Sequence, residues 1–225
     1  LAEYNDPRLS RAFITKQGTS GKEQAPGTAD NAVYAPNGSP EQGTSKYGTS
    51  LFMYSISAPT LLLSYHELKF LEAEALCRLG RDAKSALKDA VVAGLLNAES
   101  SFSVSRKELG KTLINPASSI TDTEAESYFD NTVEAKYTAE PLKTTMTQKY
   151  FALWGASGEA TESYNDVRRM KGLGENFIEL KNPNSFPLRC PYGNSDTTTN
   201  AEVKAAYGNG QYVYSENVWW AGGSR

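Results

Sequence analysis

The sequence predicts a mostly α-helical fold, a scaffold of paired helices that carries long irregular loops. Three observations lead to this prediction. Apolar residues recur at helical spacing between Leu61 and Gly94, breaker and turn residues dominate 17–50 and 182–225, and hydrophobic residues make up 39% of the 225 residues. We therefore expect a helical middle, loop-rich ends and no sheet of four or more strands.

The first loop excursion covers residues 17–50, which are rich in Gly, Ser, Thr, Pro and Asn. Such a composition resists both helix and strand, and a flexible linker is one interpretation. Tyr34, Tyr47 and the turn sequence Pro36-Asn37-Gly38 favour the other interpretation, an ordered loop that presents aromatic side chains.

A helix pair is predicted over 61–98. Ser64 followed by Glu67 is a candidate N-cap, Gly80 is placed to end the first helix, and Asp82 is placed to cap the second. This order of helix, turn and helix resembles one tetratricopeptide repeat, and such a repeat needs neighbours to bury its faces. The apolar stripe of the first helix consists of Leu61, Tyr65, Leu68, Leu71 with Phe70, Ala75, Leu76 and Leu79, and the small-residue stripe of the second consists of Ala83, Ala86, Leu87, Ala90, Val91 and Gly94.

The rest of the chain divides into three stretches. Residues 95–120 are mixed and polar, with Pro116 as a breaker, whereas 121–172 are predicted to be helical, with starts at Thr121, at Pro141 and near Ala160. The loop-rich C-terminus, 182–225, is expected to hold one short helix from Asn200 to Tyr207.

Composition excludes several classes of function. A net charge of −3 argues against a nucleic-acid-binding surface, and the chain has no run of 18 apolar residues that would span a membrane. His66 is the one histidine, and no motif of nucleophilic, metal-dependent or nucleotide-dependent catalysis is present. The sequence thus implies no catalytic residue, no metal and no cofactor, and it leaves open whether Cys77 and Cys190 form a disulfide.

Two charged clusters invite a catalytic interpretation, but a structural one is better supported. A guanidinium can hold a carboxylate in a bidentate ion pair and tie a helix to a loop. We assign this role to Asp6 with Arg8 and to Asp166 with Arg168 or Arg169, and we expect at least one of the latter two arginines to be mostly buried and bonded to a carboxylate or to backbone carbonyls.

Aromatic residues are the better candidates for binding, since a sugar ring packs its apolar face on an aromatic ring flanked by polar groups. Trp154 has helical spacing with Met146 and Tyr150, which predicts a core position, and Trp219-Trp220 is predicted to be an apolar anchor of the C-terminus. The predicted ligand-binding residues are Tyr34, Asn37 and Tyr47, which lie in the polar loop.

Five segments in order resemble motifs of the SusD/RagB family. The most informative is Gln148–Gly172, which is similar to the family's QKxxAL and DxRR pattern, although a Tyr-Asn pair stands where the family more often has Trp-Asn. The other four segments are Asn5-Asp6-Pro7-Arg8-Leu9, the turn around Pro36-Asn37-Gly38, residues 59–75, and Phe186–Tyr192 together with Asn200 and Trp219-Trp220.

The resemblance implies a non-catalytic lipoprotein of the outer membrane of Bacteroidetes. Such a protein captures an oligosaccharide or another nutrient, with a site built largely from loops, and delivers it to a SusC-like TonB-dependent transporter. If the resemblance holds, the chain is the C-terminal half of a protein about twice as long, and the lipid anchor lies in the other half. Two alternatives stay open, a tetratricopeptide-type protein-interaction module without a small ligand and a glycoside hydrolase.

Overall fold

A computed structural model describes residues 1–16, 22–24, 49–179, 186–210 and 212–223. The described residues fall into two compact units. The helical unit comprises those up to residue 179, and the C-terminal unit comprises those from residue 186 onwards.

The mostly α-helical fold class is confirmed. The helices of the described residues are α1 Tyr65–Arg78, α2 Lys84–Leu109, α3 Asp122–Tyr128, α4 Glu134–Ala139, α5 Pro141–Leu153, α6 Glu162–Gly172, α7 Asn194–Thr199 and α8 Ala201–Tyr207. One turn of π-helix, Phe129–Val133, joins α3 to α4.

The predicted starts and ends of several helices are confirmed. The Ser64 hydroxyl accepts a hydrogen bond from the Glu67 backbone N–H at the start of α1, and Thr121 caps α3 in the same way through Glu124. Gly80 follows α1 with a φ of +66°, a conformation that glycine adopts without strain.

The second helix is longer than predicted. It continues through residues that the sequence analysis treated as mixed and polar, because Leu95, Ala98, Phe102 and Leu109 extend its buried stripe beyond Gly94. Their spacing of three, four and seven residues keeps them on one face of the helix.

The predicted apolar stripe of α1 is wrong in its orientation. Tyr65, Leu68, Leu71 and Leu79 are exposed, whereas the buried face consists of His66, Glu67, Phe70, Ala73 and Glu74. The polar members of this buried face meet charged groups of α5, α6 and the segment between them, as described below.

The core of the helical unit forms where α1, α2 and α5 pack together. Phe70, Leu87, Leu95 and Phe102 are fully buried there. Gly94 lets α2 approach α5, since a Cβ at this position would lie 2.9 Å from the Cβ of Ala152. A real side chain would require one of the two helices to move.

A small sheet corrects the expectation that the chain has no sheet of four strands. Its strands, in spatial order, are β3 Thr49–Ser50, β1 Phe13–Lys16, β2 Lys22–Gln24 and β4 Leu113–Ile114. β1 pairs antiparallel with β2 and β3, and β2 pairs in parallel with β4. Strands of two to four residues are too short to show alternation in a sequence, and most of these pairings join segments that are distant along the chain.

The C-terminal unit holds α7 and α8, of which the sequence analysis predicted α8. Asn200 caps α8 by accepting hydrogen bonds from the backbone N–H groups of Glu202 and Val203. Trp219 and Trp220 lie on a 3₁₀ turn and are 56% and 69% exposed, which corrects the prediction that they are an apolar anchor of the C-terminus.

Both cysteines are free thiols; Cys77 is half-buried and Cys190 is exposed. Within the described part of the chain, no helix combines the length and the apolar composition needed to cross a membrane.

Candidate functional site

The predicted ligand-binding residues Tyr34, Asn37 and Tyr47 lie outside the described residues. The structure does describe the two points from which their loop departs. β2 precedes the segment that carries them and β3 follows it, and both strands pair antiparallel with β1, on opposite sides of it. Residues 17–48, which include β2, therefore begin and end on one sheet.

An aromatic cluster attaches this sheet to the helices. The Phe13 ring stacks on Trp154 with 5.3 Å between ring centroids, and Phe52 meets Trp154 edge-on at 5.1 Å. Phe52 also packs on Phe102 of α2 at 4.7 Å. Trp154 is half-buried against the core, and it supports the base of the loop.

Two cavities flank the aromatic cluster. One of about 340 Å³ is largely apolar, and its lining includes Leu1, Tyr150, Phe151 and Trp154. The other, of about 260 Å³, is lined by Phe52 and by hydroxyl and amide groups that include Ser55, Asn97, Ser101 and Ser157. The first cavity shares Trp154 with the aromatic cluster, and the second shares Phe52, which follows β3 by two residues. Apolar and hydrogen-bonding surface are therefore available beside the cluster.

The charged cluster near the N-terminus consists of Asp6 and Arg8. Arg8 donates to both carboxylate oxygens of Asp6, at 2.9 and 2.6 Å, and its third bond goes to the Phe151 carbonyl at the end of α5. Asp6 is withdrawn from water, but the guanidinium of Arg8 outweighs this and lowers the pKa of the carboxyl. The pair fastens the N-terminal turn to α5.

The second charged cluster joins α1, α5 and α6. Arg169 donates to Asp166 at 2.8 Å and to both oxygens of Glu74, which also accepts from Arg78. The Asp166 carboxylate meets the buried Nζ of Lys149 at 2.8 Å.

Within this cluster the arginines are not the most buried members. The side chain of Arg169 is 41% exposed, whereas those of Glu74 and Lys149 are 6% and 3% exposed. Arg168 is half-buried and donates to the Tyr164 hydroxyl at 2.9 Å. Arg169 makes the predicted bond to a carboxylate. Its side chain is not mostly buried, so that part of the prediction is wrong for Arg169.

A third polar group was missed by the sequence analysis. Glu159, in the segment between α5 and α6, is 2% exposed, accepts from the Ser64 backbone N–H, and lies 3.6 Å from Nε2 of His66. Burial lowers the pKa of His66. Burial and the neighbouring Glu159 carboxylate raise the pKa of Glu67 to about 7.

No sequence motif marks Glu159, but Glu67 and Glu74 in α1 indicate that this helix packs against polar partners. They share a helix face with Phe70 and Ala73, and charged residues on a face that packs inward need partners. Among the described residues, no group of three or more His, Cys, Asp or Glu side chains is arranged to hold a metal ion.

Residues 1–192 match the profile of a family named SusD-like, whose description is "Starch-binding associating with outer membrane". A solved structure of a SusD/RagB family protein from Bacteroides thetaiotaomicron VPI-5482 is 65% identical in sequence and superposes with a TM-score of 0.87. That similarity covers 99% of this chain and 48% of the solved chain, so this chain spans about half the length of its relative. No curated protein matches the chain at a significant level.

Proposed function

The chain belongs to the SusD-like family, and from this membership we propose that it binds a glycan or another nutrient at the outer membrane without catalysing a reaction on it. The nutrient would pass to a SusC-like TonB-dependent transporter. We also propose that the protein is held at the membrane surface as a lipoprotein.

The observation that carries the proposal is the anchoring of the loop 17–48. The part of it that carries Tyr34, Asn37 and Tyr47 leaves β2 and returns at β3, two strands of one sheet that flank β1. That sheet packs through Phe13 on the aromatic cluster of Phe52, Phe102 and Trp154. Binding residues are often carried by loops that a rigid scaffold positions. Tyr34 and Tyr47 would supply the rings on which a sugar packs, and Asn37 would supply an amide that bonds its hydroxyl groups.

Calorimetry with a panel of neutral and acidic oligosaccharides tests the proposal. We expect one glycan class to bind, and we expect Tyr34→Ala and Tyr47→Ala each to weaken binding by about 1–3 kcal/mol because apolar contact area is lost. Tyr65→Ala, which changes a 58% exposed tyrosine on α1, is the matched control and should bind as the wild type does. Unchanged affinity in the Tyr34→Ala/Tyr47→Ala variant would place the site elsewhere.

The exposed face of α1 favours a second candidate function, that of a protein-interaction module. Leu68, Leu71 and Leu79 are 51%, 42% and 69% exposed, and together with Tyr65 they form an apolar stripe along one helix. Apolar surface of this kind is typical of protein contacts. A Leu68→Glu/Leu71→Glu variant that loses co-purification with the transporter but keeps glycan binding would assign this stripe to a protein partner.

A further inference from the structure

Two adjacent indoles stand on the surface of the C-terminal unit. Trp219 and Trp220 lie on a 3₁₀ turn, and their ring centroids are 5.7 Å apart with the planes at 86°. The two rings therefore offer surfaces in perpendicular directions. Large exposed aromatic surface is unusual on a folded protein and commonly marks a contact site.

The turn that carries the two indoles is tightly closed. Gly222 ends it with a φ of +87°, and the Gly223 N–H donates to the Val218 carbonyl at 3.0 Å. A Cβ on Gly223 would lie 1.9 Å from the carbonyl oxygen of Asn217, so this close approach requires glycine. The backbone that carries the indoles is thus fixed before any ligand arrives, which reduces the entropy that binding must overcome.

A second pair of aromatic rings belongs to the same surface. Tyr192 stacks on Tyr207 with 4.3 Å between centroids and a plane angle of 24°. The Tyr192 N–H donates to the Gly210 carbonyl at 3.3 Å, and a Cβ on Gly210 would lie 2.8 Å from the Cβ of Tyr192. The guanidinium of Arg189 lies 5.0 Å from the centroid of the Tyr192 ring.

These groups enclose a cleft of about 490 Å³, which we call the C-terminal cleft. Its lining includes Arg189, Tyr192, Tyr207, Glu216, Trp219 and Trp220. The volume falls in the range of small-ligand sites in proteins. The Arg189 side chain is 15% exposed, and its Nη1 lies 3.9 Å from Oε2 of Glu216, so the two charges in the cleft cancel.

We propose that the C-terminal cleft is a second glycan-binding site, which binds without Tyr34 and Tyr47, and that it takes uncharged pyranose units. This inference rests on the proposed function, of which it specifies an additional site and a substrate class. The C–H face of a pyranose packs on an indole, a guanidinium donates to hydroxyl oxygens, and a carboxylate accepts from hydroxyl groups. A uronic acid would have to compete with Glu216 for the Arg189 guanidinium, because the two charges already cancel, and would be disfavoured.

The indole resonances test the proposal directly. Trp219 and Trp220 line the cleft, and the spectra of Trp219→Phe and Trp220→Phe assign the two indole N–H signals that report on it. The probes are maltoheptaose and oligosaccharides of xylan, mannan and levan, with oligogalacturonate as the charged comparison. We expect at least one neutral oligosaccharide to shift both indole signals, and Trp220→Ala to weaken this binding about tenfold or more.

Two further variants separate this site from the loop. The Tyr34→Ala/Tyr47→Ala variant should keep the indole shifts, and Glu216→Gln should narrow the preference for neutral sugars over oligogalacturonate. If the wild type binds a glycan but the indoles do not respond, or if Trp220→Ala leaves all binding unchanged, the C-terminal cleft is not a site and the proposed function stands. Loss of the indole shifts in the Tyr34→Ala/Tyr47→Ala variant would also overturn the separate site.

Two remaining outcomes are equally informative. Indole shifts caused by a proline-rich peptide and by none of the glycans would overturn the assignment to sugars, because an aromatic cleft can also receive a polyproline helix. Failure of the wild type to bind any of the glycans, by calorimetry as well as by the indole signals, would overturn both this inference and the proposed function.

Discussion

The guanidinium of Arg8 lies 2.6 Å from the carboxylate of Asp6, and the two side chains are 2% and 0% exposed. A hydrogen bond from the same guanidinium to the Phe151 carbonyl carries the link on to α5. The pair is thus the point at which the N-terminal turn is held on the helical unit, and removal of one partner leaves the other charge buried.

We expect Asp6→Ala to lower the free energy of unfolding by about 3–5 kcal/mol, because Arg8 would keep its charge without a counter-ion in the protein interior. Asp6→Ala/Arg8→Met should recover part of this loss, since no uncompensated charge remains. Denaturant unfolding measures both effects. Glu3→Gln, at a side chain 81% exposed, is the control and should change stability by less than about 0.5 kcal/mol. Equal midpoints for Asp6→Ala and Glu3→Gln would contradict the structural role of the pair.

Arg169 has a similar role between α6 and α1. We expect Arg169→Ala to destabilise the protein by about 1–3 kcal/mol, because the buried Glu74 carboxylate would lose two of its hydrogen bonds and keep the one from Arg78. Arg81→Ala, at an exposed position after α1, provides the comparison and should leave the unfolding midpoint nearly unchanged. If the two variants unfold at the same denaturant concentration, the link between α6 and α1 does not stabilise the fold.

The close packing of α2 on α5 at Gly94 can be tested by an alanine substitution, with Gly172 at the end of α6 as the control position. Gly94→Ala should lower stability by about 1–3 kcal/mol, since its new methyl group would overlap with Ala152, although alanine favours a helix more than glycine does. Gly172→Ala, at the end of α6 with open space around the new methyl group, should be neutral or stabilising by up to about 1 kcal/mol. Thermal unfolding distinguishes the two, and a gain in stability from Gly94→Ala would show that the helices are farther apart than described.

The buried carboxyl of Glu67 predicts a dependence of stability on pH. Its pKa is raised from the ordinary value of 4.5 to about 7, so between these two pH values the folded protein binds more protons than the unfolded chain. Its contribution to stability is therefore fully present below about pH 4.5 and is lost as the pH rises through about 7. Glu159 and Glu162 add to this effect, and Lys149 opposes it.

Glu67→Gln isolates the effect, because an amide stays uncharged at every pH. We expect the stability of the variant relative to the wild type to rise between pH 5 and pH 8.5 by up to about 3 kcal/mol. His66, whose pKa is lowered by burial, acts in the opposite direction, but it is present in both proteins and largely cancels in the comparison. Glu126→Gln, at an exposed glutamate, should show a constant difference from the wild type. A constant difference for Glu67→Gln as well would mean that Glu67 is ionised in the folded protein at pH 5.

The sequence by itself determined where α1, α3 and α8 begin, because a cap depends on neighbours along the chain, whereas α2 has Ala83 and not the predicted Asp82 at its N-cap position. Ser64, Thr121 and Asn200 cap helices through bonds to N–H groups two or three residues away. Small side chains at helical spacing also predicted which face of α2 is buried. For the candidate site, the sequence alone identified the loop with Tyr34, Asn37 and Tyr47, whose binding role stays a prediction.

Only the tertiary structure decided which face of α1 is buried, how the loop is anchored and where Trp219 and Trp220 lie. The spacing of leucines on α1 favoured one face, but Arg169 of α6 and Glu159, both distant in sequence, accommodate the carboxylate and the histidine of the other. The strands β1 and β3 are likewise joined across the whole loop excursion. Ion pairs and strand pairings of this kind leave no pattern in the local sequence. Their free energy depends on groups that only the folded chain brings together.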